Sequence, residues 1–192
     1  MNGSLRNPKM KKKSTVELTL MSAEEAVAAE KLPLSVVLDN VRSLQNVGSV
    51  MRTADAFAVA EVVCCGITGV PPHPELSKTA LGAEESVAWR HVDDSVAECR
   101  RLKEEGWKLC VLEQVHGSIP LDRFRALPAD RYALVLGNEV AGVSQEIVDM
   151  ADIVLEIPMH GAKHSLNVSV SGGIALWELS TALRGARAGR TS

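Results

Sequence analysis

Aromatic residues are scarce in this chain: Phe, Trp and Tyr together make up 3% of it. Its core must therefore be built from Val, Leu, Ile and Ala, within a hydrophobic content of 46%. No apolar run approaches the roughly 20 residues of a membrane-spanning helix. The first residues, Met1-Asn-Gly-Ser-Leu-Arg6, lack the apolar stretch of a secretory signal. With a mean hydropathy of +0.05, the expectation is a soluble, cytoplasmic protein with no membrane partner. Cysteine is present but unpatterned. Cys64, Cys65, Cys99 and Cys110 show no C-x-x-C and no metal-ligand spacing, so four reduced core thiols are expected.

The familiar nucleotide and hydrolase signatures are absent as well. No G-x-G-x-x-G joins the first strand to a helix, and no G-x-x-x-x-G-K-[ST] occurs, which argues against a dinucleotide dehydrogenase or a P-loop enzyme. No G-x-S-x-G elbow offers a nucleophilic serine. His160 and His164 are four apart, but Gly161 lies between them and no H-E-x-x-H exists, so they read as loop histidines and no metal is expected.

Charge is also unevenly spread. The net value of −3 conceals two basic ends. Residues 1–13 carry Arg6, Lys9, Lys11, Lys12 and Lys13 with no acid, and residues 179–192 carry Arg184, Arg187 and Arg190 with none. An acidic body with basic ends suits contact with a polyanion through the termini, although a solvated tail has the same composition.

One domain is the natural expectation for 192 residues. Along the chain, helices and strands alternate. Ser22-Ala-Glu-Glu25 is a capping box opening a helix to about Lys31. Buried strands are expected over Leu34–Asp39, Glu61–Ile67, Ser86–His91, Trp107–Leu112, Tyr132–Leu136 and Asp152–Ile157. Helices are expected from Asn46, over Glu75–Leu81, from Asp94 to Glu105, over Ser144–Met150 and from Leu166, with a turn of helix opening at Pro120. Strands that alternate with helices and are apolar on both faces mean an α/β fold with a parallel sheet. Ligands of such sheets bind beyond the carboxyl ends of the strands. The polar or glycine-rich stretches Asn40–Asn46, Gly137–Gly142 and Pro158–Asn167 each follow a strand and should share that edge.

The last helix is unusual. Val168, Ser169, Val170, Gly172 and Gly173 are poor helix formers, and each glycine costs about 1 kcal/mol relative to alanine. Small residues at such a cost imply close approach of a ligand or of another backbone, and tight packing on a neighbouring helix is the plainer form of that reading.

Three segments carry a resemblance: Asn46-Val-Gly-Ser-Val-Met-Arg52-Thr-Ala-Asp-Ala, Gly137-Asn-Glu139-x-x-Gly142-Val-Ser, and Ile157-Pro-Met-x-Gly161-x-x-x-Ser165-Leu-Asn167-Val-Ser-Val. In order and spacing they are similar to the three motifs of the SpoU/TrmH family of RNA ribose 2′-O-methyltransferases, in the SPOUT superfamily. The resemblance runs from about Leu34 to Leu183, and its one small departure is Gly172, where the family more often has alanine. It implies a parallel-sheet SPOUT fold with a deep C-terminal trefoil knot, in which Gly137, Gly142, Gly161, Gly172 and Gly173 would let backbones cross. A basic leader with a short helix would occupy 1–33, the methyltransferase domain 34–184 and a basic tail 185–192.

The resemblance further implies S-adenosylmethionine as cofactor, contacted by Leu112, Glu113, Gly137, Asn138, Ile157, Met159 and Leu166. It implies a homodimer, with Val168, Ile174 and Trp177 as an apolar patch. Arg52 matches the arginine beside the target ribose, either as general base or as a clamp on a substrate phosphate. An always-protonated guanidinium favours the clamp. Asn46, Glu139, Ser165 and Asn167 match the residues that hold this arginine and the ribose. Their plainer alternatives are helix capping for Asn46 and Ser165, loop hydrogen bonding for Glu139, and an ion pair with Asp55 for Arg52. RNA contacts are expected from Arg52, Lys11, Lys12, Lys13, Arg184 and Arg187. The substrate is expected to be tRNA, with rRNA or a non-catalytic RNA-binding dimer as alternatives.

Overall fold

The computed structural model describes residues 11–14 and 21–189; Arg6, Lys9 and Arg190 lie outside the described residues. Seven parallel strands form one sheet, in the order β3-β2-β1-β6-β4-β7-β5. They are β1 (Leu32–Asp39), β2 (Val59–Cys65), β3 (Ala88–Val92), β4 (Trp107–Leu112), β5 (Ile119–Pro120), β6 (Arg131–Leu136) and β7 (Ile153–Glu156).

Period-two alternation splits the core into two layers. Leu34, Val36 and Leu38 of β1 share a cluster with Val62 and Cys64 of β2 and with Leu134 and Leu136 of β6. Val37, Val63, Cys65, Val111 and Val135 point to the opposite cluster. Helices α2 (Leu44–Ala56) and α7 (Val168–Ala188) cover the first layer, while α5 (Ser95–Glu104) and α6 (Gln145–Met150) cover the second. All four cysteines are buried free thiols within these layers.

Several boundaries differ from the sequence reading, each for a local reason. The Ser22–Glu25 capping box forms, but α1 (Ala23–Ala28) is short and buries no residue. β1 begins at Leu32 and absorbs Pro33 through a register irregularity between Leu32 and Ser35, since proline has no N–H for the ladder. A four-residue α4 (Ala83–Ser86) follows α3 (Pro74–Ala80) and shifts β3 to Ala88. The turn at Pro120 is a 3-10 turn over Leu121–Arg123, and the two-residue β5 just before it is too short to leave a pattern in the sequence.

α2 starts at Leu44, because Ser43 is its N-cap. α7 starts at Val168, capped by Asn167, and runs to Ala188, so residues 185–188 are helical rather than tail. Val168 is buried and leaves the expected apolar patch; Val170 takes its place, exposed with Ile174 and Trp177 along one side of α7. Of the glycines expected to allow close crossing, Gly161 has open space around it, and Gly173 meets only the Thr53 methyl at 3.9 Å. At Gly172 an added Cβ would lie 2.7 Å from Leu136 Cδ1, and at Gly137 it would collide with the backbone of Gly142 and Val143.

Candidate active site

The strand termini dictate where the polar groups meet. β1 and β6 are neighbours in register, Leu38 beside Leu136, so the loops that follow them leave the same edge of the sheet. Glu139, in the loop after β6, reaches across to the loop after β1. Its carboxylate accepts from the Arg42 and Ser43 backbone N–H groups, both at 2.9 Å, and from Asn46 Nδ2 at 2.9 Å.

An ionised carboxylate only accepts, which fixes the Asn46 amide with its oxygen turned outward. That oxygen receives Asn167 Nδ2 at 3.0 Å, and Asn167 Oδ1 in turn caps α7 through Ser169 N at 2.9 Å. One side chain from each of the three sequence motifs is thereby joined in an unbroken row. The alternative reading of Asn46 and Ser165 as helix caps is not realised. Ser43 caps α2 and Asn167 caps α7, while Asn46, buried in the first turn, is free to bridge. Burial acts to raise the Glu139 carboxyl, but the hydrogen bonds from Arg42, Ser43 and Asn46 outweigh it and hold it below its ordinary value.

Beside this row lies a cleft of about 710 Å³, within the usual range for small-molecule sites. Leu112, Glu113, Gly137, Asn138, Ile157, Met159 and Leu166 all line it, as do Glu139, Ser165 and Asn167. Apolar walls come from Leu112, Leu136, Val143 and Ile157, and the carboxylates on the lining are Glu113, Glu139 and Glu156, with no lysine or arginine among them. Gly142, at φ 71°, packs directly under the Glu113 carboxylate, where a Cβ would collide with it. Glu113 Oε2 also accepts from Val143 N at 3.1 Å, and Gln114 Nε2 donates to His164 O at 2.7 Å. These two bonds tie the end of β4 to both other loops, a connection the sequence reading missed. Ser165 caps nothing and stands exposed on the cleft lining.

Arg52 is not part of this lining. It lies six residues beyond Asn46 on α2, about 9 Å along the axis. There it borders a groove with Ser49, Thr53, Phe57, Lys78 and Thr79. Among the described residues nothing engages its guanidinium, and the alternative ion pair with Asp55 is not formed, Asp55 instead accepting from Ser86 Oγ at 2.7 Å. Of the basic residues near the ends, Lys11, Lys12 and Lys13 are exposed. Arg184 instead donates to Phe57 O at 3.3 Å, and Arg187 pairs with Glu30 at 3.2 Å, so both are already engaged within the chain. Among the described residues no cluster of His, Cys, Asp and Glu could hold a metal, and no helix is long and apolar enough to cross a membrane.

Comparison with known proteins fits this arrangement. Residues 33–177 match the model of the SpoU rRNA Methylase family. A 23S rRNA (guanosine-2′-O-)-methyltransferase from Vibrio vulnificus is 33% identical over 86% of this chain, which spans 66% of that enzyme's length. The crystal structure of the A. aeolicus TrmH/SpoU tRNA modifying enzyme superposes with a TM-score of 0.75 at 29% identity, covering 86% of this chain and 84% of that one. An AdoMet-bound rRNA methyltransferase from Sinorhizobium meliloti gives a TM-score of 0.72 at 26% identity, covering 78% and 56%. The matched span holds most of the sheet, the row from Asn46 to Asn167 and the whole cleft lining, and on it the chain belongs to the SpoU rRNA methylase family.

Proposed function

We propose that this protein transfers a methyl group from S-adenosylmethionine to a ribose 2′-hydroxyl of RNA. The observation that carries this reading is the direct hydrogen bonding of Asn46, Glu139 and Asn167 beside an acid-lined cleft. The residues fit the cofactor by their chemistry. Carboxylates without lysine or arginine suit a sulfonium cation, and the apolar walls suit an adenine ring. Leu112, Gly137, Ile157 and Leu166 would hold it, with Glu113, Asn138 and Met159 beside them. When bound, the cofactor supplies an electrophilic methyl carbon on a good leaving group.

The chain's own contribution is positioning, worth up to roughly 7–11 kcal/mol in well-oriented systems. Arg52, unpartnered among the described residues on its groove, would grip a phosphate flanking the target nucleotide and draw the ribose toward the cleft. Glu139 holds the first turn of α2, and with it the base of the helix that carries Arg52. Ser165 and Asn167 would face the ribose from the cleft lining. The likeness to the A. aeolicus enzyme supports tRNA as substrate, and the likeness to the Vibrio vulnificus enzyme keeps rRNA as the second reading.

Two architectural proposals accompany this one. The exposed row of Val170, Ile174 and Trp177, with Trp177 packed edge-on to Phe57 at 5.8 Å, supports a homodimer through α2 and α7. Replacing Trp177 by Glu should then halve the mass measured by light scattering. A trefoil knot is proposed on the resemblance of the three motifs, together with the likeness in fold to the A. aeolicus enzyme. A knotted chain pulled from its ends would extend less than its full contour length.

The function is tested by methyl transfer from labelled S-adenosylmethionine to separate tRNA and rRNA pools, with Arg52→Ala alongside. Label in an alkali-resistant dinucleotide from one pool, lost in the variant, is the expected result. Absence of label from both pools, with cofactor and RNA still bound, would leave the non-catalytic RNA-binding dimer as the reading.

A further inference from the structure

The reactive row hangs on a buried group that takes no part in it. Asp39 ends β1 and is 2% exposed, and among the described residues its carboxylate is satisfied without any cation. Oδ1 accepts from Asn40 Nδ2 at 2.8 Å and Ser95 Oγ at 2.7 Å, while Oδ2 accepts from Ser144 N at 2.9 Å. Asn40, at φ 55°, turns its own carbonyl toward the loop after β6, where Asn138 Nδ2 donates to it at 2.7 Å. Asn40 Oδ1 takes the Ile67 N–H of the loop after β2 at 3.2 Å.

The segment 138–142 is closed on itself by the two backbone bonds between Asn138 and Gly142. It is fastened at one end through Asn138 to the Asn40 carbonyl, and just past its other end through Ser144 to the Asp39 carboxylate. Glu139 projects from the middle of that closed unit to Arg42, Ser43 and Asn46. Two attachments of the Glu139 loop therefore fall on consecutive residues, Asp39 and Asn40, and a third joins Val143 N to Glu113 at the end of β4.

We propose that Asp39 is a positioning residue that sets the Glu139 loop against the start of α2 and so aligns the two halves of the site. This rests on the methyltransferase reading for its catalytic consequence, but not for its structural one. The carboxylate is required as such, because all three partners present donors to it. An amide in its place would set its NH₂ against either the Ser144 N–H or the Asn40 NH₂, and either orientation opposes two donors. Ser95 provides the contrast: it binds the same carboxylate from α5, away from both loops.

The test pairs Asp39→Asn with Ser95→Ala. Asp39→Asn should lower the methyl-transfer rate at saturating cofactor about tenfold or more, the scale of modest misplacement in an aligned site. Ser95→Ala should lose melting temperature while keeping the rate. Amide hydrogen exchange, read without RNA or cofactor, should accelerate at Arg42, Ser43 and Ser144 in Asp39→Asn and not in Ser95→Ala. A normal rate in Asp39→Asn, or rate losses that follow melting temperature in both variants, would overturn the proposal. If the wild type transfers no methyl group, the function fails and exchange alone decides: unchanged protection at those amides would overturn the positioning role as well.

Discussion

Two polar networks stabilise this sheet, and they neutralise carboxylates by different means. At the strand termini beside the cleft, Asp39 and Glu139 are satisfied by backbone N–H groups, a serine hydroxyl and side-chain amides. Across β2, β3 and α5, Glu61, Glu98 and Glu105 are satisfied by arginines: Arg90 bridges Glu61 and Glu98, and Arg101 bridges Glu98 and Glu105. An arginine network holds elements together wherever long side chains reach, so it tolerates small shifts. Backbone N–H groups hold a carboxylate only in a narrow geometry, so they fix a loop, and they do so without Arg52, which has no partner among the described residues. On the proposed reading, the amide-based network serves alignment and the arginine-based one stability.

Mutations sharpen this contrast. The largest effect is expected for Arg52→Ala, which should lower methyl transfer by about 100-fold while leaving the melting temperature unchanged, since the side chain is exposed and, among the described residues, unpartnered. Glu139→Gln should lower the rate about tenfold by opposing its new amide to the Arg42 or Ser43 N–H. It also carries a pH signature. The folded carboxyl lies below its ordinary 4.5, so its stabilising contribution is present above that value and is lost as pH falls through the folded one. Denaturant titrations should accordingly show the wild type and Glu139→Gln converging in acid.

Glu98→Gln should break the comparison from the other side. Its carboxylate is 4% exposed and held by Arg90 and Arg101, so the change should cost about 1–3 kcal/mol and leave methyl transfer unaltered. Burial acts to raise that carboxyl, and the Arg101 and Arg90 hydrogen bonds outweigh it. The smallest effect is expected at the termini. Neutralising Lys11, Lys12 and Lys13 should reduce the slope of log affinity for RNA against log salt by roughly 0.7–0.9 per phosphate released. Arg184→Gln and Arg187→Gln should leave that slope unchanged, because both arginines are already bound within the chain.

The layered sheet was legible in the sequence because two-sided strands such as Leu34-Ser-Val-Val-Leu-Asp39 advertise burial on both faces. The meeting of the three motif loops at one edge was legible because each follows a strand, whereas the individual lining residues came from the family resemblance. What escaped was the wiring. Ser43 lies three residues before Asn46, an ordinary N-cap spacing, yet the apolar run of α2 drew attention to Asn46 as the start. Asp39 and Asn40 read only as a strand end and the first residue of a polar loop, and the pairing of β1 with β6 shows that they face the Glu139 loop. β5 was invisible because two residues carry no period. Counting charge along the sequence could not show that Arg184 and Arg187 have partners within the chain, the Phe57 carbonyl and Glu30.

The four thiols give this fold a clock of its own. Burial pushes Cys64, Cys99 and Cys110 up to about 12 and Cys65 higher still, so almost no thiolate exists in the native state at neutral pH. They sit on three different elements, β2, α5 and β4, and on both faces of the sheet. A thiol-reactive dye mixed with the folded protein would therefore stay colourless until the sheet itself opened. The order in which the sulfurs then react would show which side of the sheet parts first.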